Sequence, residues 1–300
     1  MKWDKYYHLP EIEEIRKKIK EAYSNKLTFL EESHEYFLEG EKCICVSELI
    51  HQFQSSNSLE MAERCVKKWK RENDPSYKYY GKSVDEILSM WKKVSGEACD
   101  FGTEVHEFGE AMFYYMTENY EAEAYKSCVS KGKFKDGKPC PSNNQEKAIM
   151  DFWYSLPETF VPVLAETKVF NRKGQLYAGT FDILFYYVNE SNPLKNGLYI
   201  LDYKTNSDLR GIKKAQYDNR LKYPFENYKD VPESIYTLQL AAYQIPMENL
   251  GFKVLGRVLI WLRHDEEGAG FEKVPLKEEA PMLRKFLGIP PAKQILEEGI

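Results

Sequence analysis

The stretch that decides the fold is AGTFDILFYYVNESNPLKNGLYILDYKTNS, residues 178–207. Two apolar runs read as buried strands, yet the first carries Asp182 and the second carries Asp202 and Lys204. Burying an unpaired carboxylate or ammonium is costly, so each charge requires a partner or a metal ion. Side chains alternate along a strand, so Asp202 and Lys204 share one face while Tyr203 points to the other. The connecting NESNPLKNG is short, which predicts an antiparallel pair. A turn centred near Pro193 sets Asp182 opposite Lys204 and close to Asp202, with a slack of about two residues.

The preceding run VLAETKVF (163–170) folds back about NRKGQ (171–175) and brings Glu166 opposite residues near Phe181. Three acids and a lysine then converge on one patch of a three-stranded meander. Like charges this close cannot all stay ionised without a counter-charge, and a divalent cation on oxygen ligands is the usual supply. A lone D-x-K triplet arises by chance, and surface Asp–Lys pairs contribute little. Four ionisable groups inside apolar strands are the stronger signal.

Beyond this patch, a chain of 300 residues, 43% apolar and 14% aromatic, has material for one large domain or two small ones. No apolar run approaches the ~20 residues that span a bilayer. The opening MKWDKYYHLPEIEEIRKKIK is too charged for a signal peptide, so the expectation is a cytoplasmic protein of a bacterial or phage-infected cell. Six cysteines lie at irregular spacings, none after Cys140, which fits neither a disulfide framework nor a zinc ribbon. Cys43 and Cys45 read as small apolar side chains on one face of a short strand.

The formal charge of −5 argues against coating nucleic acid by bulk electrostatics. It leaves room for a nucleic-acid enzyme whose acidic cluster is neutralised by metal. Basic residues gather in KGKFKDGK (131–138) and LRGIKKAQYDNRLK (209–222). A solvated face is the plain reading of both. The second follows the DYK strand directly, which makes Lys213 and Lys214 candidate substrate contacts.

The spacing predicts a helix over 11–24, a hairpin over 26–40, a short helix capped by Ser47, and helices over 58–73 and 83–95, the last capped by Ser83. Residues 1–95 thus form an N-terminal hairpin and helical region. A core is expected over 96–265. It opens with a helix over 96–116 whose apolar stripe is Val105, Phe108, Met112 and Met116. Gly102 and Gly109 predict the close approach of another backbone. A loop over 129–143 and a helix over 144–156 precede the strands 163–170, 176–188 and 198–205. A helix over 233–249, bent or broken by Pro246, and a strand over 252–263 follow. Residues 266–300 read as a helical tail. The expected class is α/β (α+β), a mixed central sheet flanked by helices. His106 sits beside the apolar stripe, one turn from Glu110, and by itself reads as a hydrogen-bonded structural residue.

Taken together, GTEVH (102–106), AET (165–167), GTFD (179–182), LDYKT (201–205) and QLAAY (239–243) resemble the ordered motif set of the PD-(D/E)XK nuclease superfamily, in its RecB-like branch. The resemblance implies a restriction-endonuclease-like core. It makes His106, Asp182 and Asp202 metal ligands together with the Tyr203 carbonyl, and Lys204 the catalytic lysine. Glu166 matches an acid beside the metal site. Gln239 and Tyr243 match a helix that organises the site and contacts DNA, and their i, i+4 spacing puts them on one helix face. Several relatives carry an iron–sulfur cluster on one cysteine before the core and three after it. With no cysteine after Cys140 that cluster is not expected, and the pattern leans toward RecE-type and phage exonucleases.

The implied activity is a Mg²⁺- or Mn²⁺-dependent deoxyribonuclease, an exonuclease on double-stranded DNA ends in phage-type recombination or repair. One or two ions are implied, and the histidine leans the preference toward Mn²⁺. Beside such a cation Lys204 is expected to have a lowered pKa. The implied partners are DNA, a single-strand annealing protein and further copies of the chain, with no membrane. Alternatives are a DNA-end-binding or assembly module with little catalysis, a structure-specific endonuclease, and a metallohydrolase for a non-nucleic substrate.

Overall fold

The computed structural model describes residues 2–30, 33, 35–212, 219–265 and 268–298. They form a mixed eight-stranded sheet flanked by helices, with a separate two-stranded ribbon. At the N-terminus, α1 (Asp4–Tyr7) leads into α2 (Pro10–Tyr23). Pro10 opens α2, where its missing N–H costs nothing, and Ile12, Ile15, Ile19 and Tyr23 form its buried stripe. An antiparallel meander follows, β1 (Leu27–Leu30), β2 (Glu35–Leu38) and β3 (Glu41–Cys45). Next, α3 (Val46–His51) starts at once. Its cap is the Cys45 thiol, which accepts from the Glu48 N–H, so Ser47 lies inside the helix rather than capping it.

After α4 (Ser58–Glu72) comes α5 (Val84–Met116), an unbroken helix of 33 residues. Ser83 caps it as expected, in a reciprocal capping box with Glu86. The boundary expected between residues 95 and 96 therefore falls inside a helix. Only Gly96 marks the place, and a lone exposed glycine costs a helix about 1 kcal/mol, too little to break it. The stretch expected as a loop over 129–143 contains the end of α6 (Glu123–Ser130) and the ribbon of β4 (Phe134–Lys135) and β5 (Lys138–Pro139). The chain then enters α7 (Asn144–Ser155).

β6 (Phe160–Asn171), β7 (Tyr177–Tyr187) and β8 (Gly197–Lys204) form the expected meander. One edge of β7 pairs with β6 along its whole length. The other edge is split: Ile183–Tyr187 pair with β8, while Tyr177 and Ala178 pair in parallel with Ile44 and Cys45 of β3. Residues 179–182, the GTFD stretch, lie in the gap between those two partners.

α8 (Pro232–Asn249) is buried on nearly every side, which is why it shows little amphipathic pattern. Pro246 does not break it. The carbonyl of Ala242, which loses its helical donor to the proline, accepts instead from the Tyr177 hydroxyl at 2.9 Å. β9 (Val254–Asp265) runs parallel to β8, and β10 (Gly268–Pro275) closes the sheet antiparallel to β9. A strand thus occupies the start of the segment expected as a helical tail. α9 (Ala280–Phe286) and α10 (Ala292–Glu298) complete the chain. One hydrophobic cluster reaches from Trp3 to Ile295. Among the described residues no helix is long and apolar enough to cross a membrane.

Candidate metal centre

The register fixes where the charges meet. Ile183 faces Leu201, and one further step sets Asp182 opposite Asp202. This is two residues from the pairing with Lys204 that the turn suggested. A shift of two preserves the face, so Asp182, Asp202 and Lys204 still converge. On the other side, Glu166 lies between the pairs Ala165–Ile183 and Thr167–Phe181, level with Asp182. Its φ of +43° is left-handed, a conformation that costs a non-glycine residue on the order of 1–3 kcal/mol and persists where the surroundings enforce it.

His106 enters from α5. Val105, Phe108 and Met112 bury the helix, and His106, one step round from that stripe, is half-buried with its Nδ1 3.1 Å from Asp182 Oδ2. The same oxygen accepts the Tyr203 backbone N–H at 2.7 Å. Ligand atoms of His106, Glu166 and Asp182 all lie within 4.8 Å of one another. Asp202, 2% exposed, is ion-paired with Lys204, but its buried Oδ2 has no well-directed hydrogen bond. The structure thus places Glu166 among the candidate ligands, where the motif pattern set it only beside them.

The electrostatics answer the cost of burying these groups. Burial pushes Glu166 well above the usual carboxylate range, and Asp182 adds to it. Asp202 is raised to about 6 by burial and by Asp182, in spite of Lys204. For Asp182 burial works in the same direction, but His106, Lys204 and the Tyr203 N–H outweigh it and hold the group below its ordinary value. His106 loses charge stability through burial, yet Asp182 more than offsets this and pushes it up to about 9. Lys204 is likewise opposed by burial and held above its ordinary value by Asp202. With protein charges alone Lys204 is raised, so the lowering expected of it depends on the cation. Near neutral pH two carboxylates therefore face two cations, and the third carboxyl keeps its proton.

Glycines set the distances. A Cβ on Gly109 would lie 2.5 Å from Cε2 of Tyr203, so this glycine admits an aromatic ring rather than the backbone expected there. Gly102 stands at ordinary contact, 3.7 Å, from the Thr205 hydroxyl. A Cβ on Gly179 would lie 2.8 Å from Cε1 of Tyr243, so α8 fills the gap beside GTFD. Tyr36 also reaches it, hydrogen-bonded to Thr180 at 3.0 Å.

Gln239 Nε2 donates to the Tyr243 hydroxyl at 3.3 Å. Tyr243 is buried, so it positions the site and does not offer the direct DNA contact expected of it, whereas Gln239 is half-buried. Sequence reasoning missed Tyr236, whose ring centre is 4.3 Å from the Lys204 ammonium. Tyr236, Gln239 and Tyr243 stand at i, i+3 and i+7 on α8, a spacing that could have revealed it. Lys213 and Lys214 lie outside the described residues.

Neither a protein-family model nor a curated protein matches the chain. The fit of a metal rests on the donors themselves. One imidazole and two carboxylates, converging at hydrogen-bonding distances, form a set suited to a divalent cation of the Mg²⁺ or Mn²⁺ kind. Asp202, with an underused buried oxygen on the adjoining strand, extends that set.

Proposed function

We propose that the chain is a divalent-metal-dependent DNA nuclease with a restriction-endonuclease-like core, acting as an exonuclease on double-stranded ends in phage-type recombination or repair. One observation carries the reading. His106, Glu166 and Asp182 come from three separate elements to one point, and Asp202 and Lys204 stand on the strand beside it. That arrangement supports the resemblance of GTEVH, AET, GTFD, LDYKT and QLAAY to the motifs of RecB-like PD-(D/E)XK nucleases. An annealing protein and a homo-oligomeric assembly are further parts of the same proposal.

A bound Mg²⁺ or Mn²⁺ supplies an activated water near neutral pH and neutralises charge on the phosphate. His106, Glu166, Asp182 and Asp202 would hold it. Lys204, kept charged by Asp202, acts as a donor that orients the attacking water or a phosphate oxygen. Tyr236 lies against its ammonium and limits where that donor points. The left-handed Glu166 keeps its carboxyl in the cluster while its neighbours remain in the ladder with β7.

The test incubates end-labelled linear, covalently closed and single-stranded DNA with Mg²⁺ or Mn²⁺ over a time course. Progressive shortening of the linear duplex, with closed circles spared, is the expected result. Lys204→Ala should lower the rate about 10²- to 10⁴-fold. Equal activity of that variant and the unsubstituted chain would refute the reading.

A further inference from the structure

Between α2 and β6 the surface opens into a groove of about 650 Å³, with Arg16, Lys17 and Lys20 on one wall and Leu164, Glu166 and Lys168 on the other. Glu166 is both a wall of the groove and a member of the metal-ligand cluster, so the two sites share a boundary. Such a volume lies within the range of ligand clefts, roughly 300–1,000 Å³. It suits a short length of single strand and is too small for a duplex.

The groove is a fixed feature of the fold. Arg16 braces α2 against β6, donating to the carbonyls of Tyr7 at 2.9 Å and of Val163 and Pro162 at 3.2 Å each. Its guanidinium also lies 4.0 Å from the centre of the Tyr7 ring and pairs with Glu13 at 2.9 Å. Arg16 and Glu13 thereby neutralise one another. The lysines have no comparable engagement. Among the described residues Lys20 has no ion pair. Lys17 has only an exposed contact with Glu21 at 3.9 Å, a kind of pair worth little. Lys168 stands over the Phe29 ring at 5.8 Å.

This local excess of positive charge stands in a chain of formal charge −5. Lys17 and Lys20 are about 4.5 Å apart along the axis of α2. Successive phosphates of one strand advance by about 3.4 Å in a duplex, a comparable step. We propose that this groove seats the phosphodiester backbone of one DNA strand beside the metal centre, with Lys17, Lys20 and Lys168 as its phosphate contacts. The identity of the polyanion rests on the nuclease reading above.

The test measures binding of a labelled single-stranded oligodeoxynucleotide to the full chain by fluorescence anisotropy in EDTA, over a range of salt. The double variant Lys17→Glu with Lys20→Glu should bind about tenfold more weakly, and its salt slope should fall by about 1.4, at ~0.7 per lost contact on a single strand. Lys168→Glu should weaken binding in the same direction. All three side chains are exposed, and an unchanged thermal midpoint and Mn²⁺-induced shift show that each variant is folded with its centre intact.

Lys135→Glu with Lys138→Glu makes the same charge change on the β4–β5 ribbon and should bind as the unsubstituted chain does. Unchanged binding by the groove variants, or an equal loss by the ribbon pair, overturns the proposal. Cleavage of DNA by groove variants with unchanged KM rejects the groove and leaves the nuclease reading standing. Groove-dependent binding without any cleavage by the unsubstituted chain does the reverse.

Discussion

At the scale of the residue, the cluster trades protons for metal. Near pH 7 His106 and Lys204 balance Asp182 and Asp202, and Glu166 is held neutral by burial. A divalent cation brings two charges, so the same balance is kept when His106 and Glu166 each release a proton. Mn²⁺ binding at pH 7 should therefore release about two protons. Calorimetry in buffers of different ionisation enthalpy measures this, and His106→Gln should remove about one of the two. Because His106 is raised on folding, its proton contributes stability that is complete below about pH 6.5 and is lost as pH rises through about 9. The cation competes with that proton. Apparent Mn²⁺ affinity should then climb between pH 6.5 and 9, and a flat profile would remove His106 from the ligand set.

Elements show where the sequence was readable and where it was not. Strands β6, β7 and β8 announce themselves as long apolar runs, because both faces of a central strand are covered. The charges of Asp182, Asp202 and Lys204 stood out against those runs, which is why the centre was legible. β10 was not, since GAGFEKVP (268–275) is a short edge strand with two glycines and two charges. The left-handed Glu166 was equally hidden, because nothing in AET reports a backbone angle. Helix α5 was cut at Gly96 in the reading and is continuous in the fold, and its glycines give a paired test. Gly96→Ala, in open space, should stabilise the protein by up to about 1 kcal/mol through helix propensity. Gly109→Ala should instead destabilise it by about 1–2 kcal/mol, as overpacking against Tyr203 exceeds the same gain. Urea unfolding of the two variants decides, and a gain in both would mean that Tyr203 is free to move.

For the whole molecule, the division expected at residues 95 and 96 does not correspond to a boundary in the core. α5 crosses it, β3 pairs with β7 across it, and the buried side chains of α2 and α3 belong to the same hydrophobic cluster as β7 and α8. A fragment of residues 96–300 should therefore lack a cooperative thermal transition, whereas the full chain should show one by circular dichroism. A cooperative transition in the fragment would contradict the single core. Sequence alone favoured two parts because the front is mostly helical and the rest mostly strand. Composition does not report that β3 joins the sheet of residues so far along the chain.

The split edge of β7 also bears on the order of folding. Residues 179–182 are flanked by strands drawn from opposite ends of the sequence, β3 on one side and β8 on the other. The β7–β8 hairpin can close early, since its loop is short, but the β3 contact requires a long loop to close first, which is entropically slow. His106 and Tyr243 come from two further elements. A tight cation site is consequently among the last things this chain acquires, and metal affinity during refolding reports arrival at the native state.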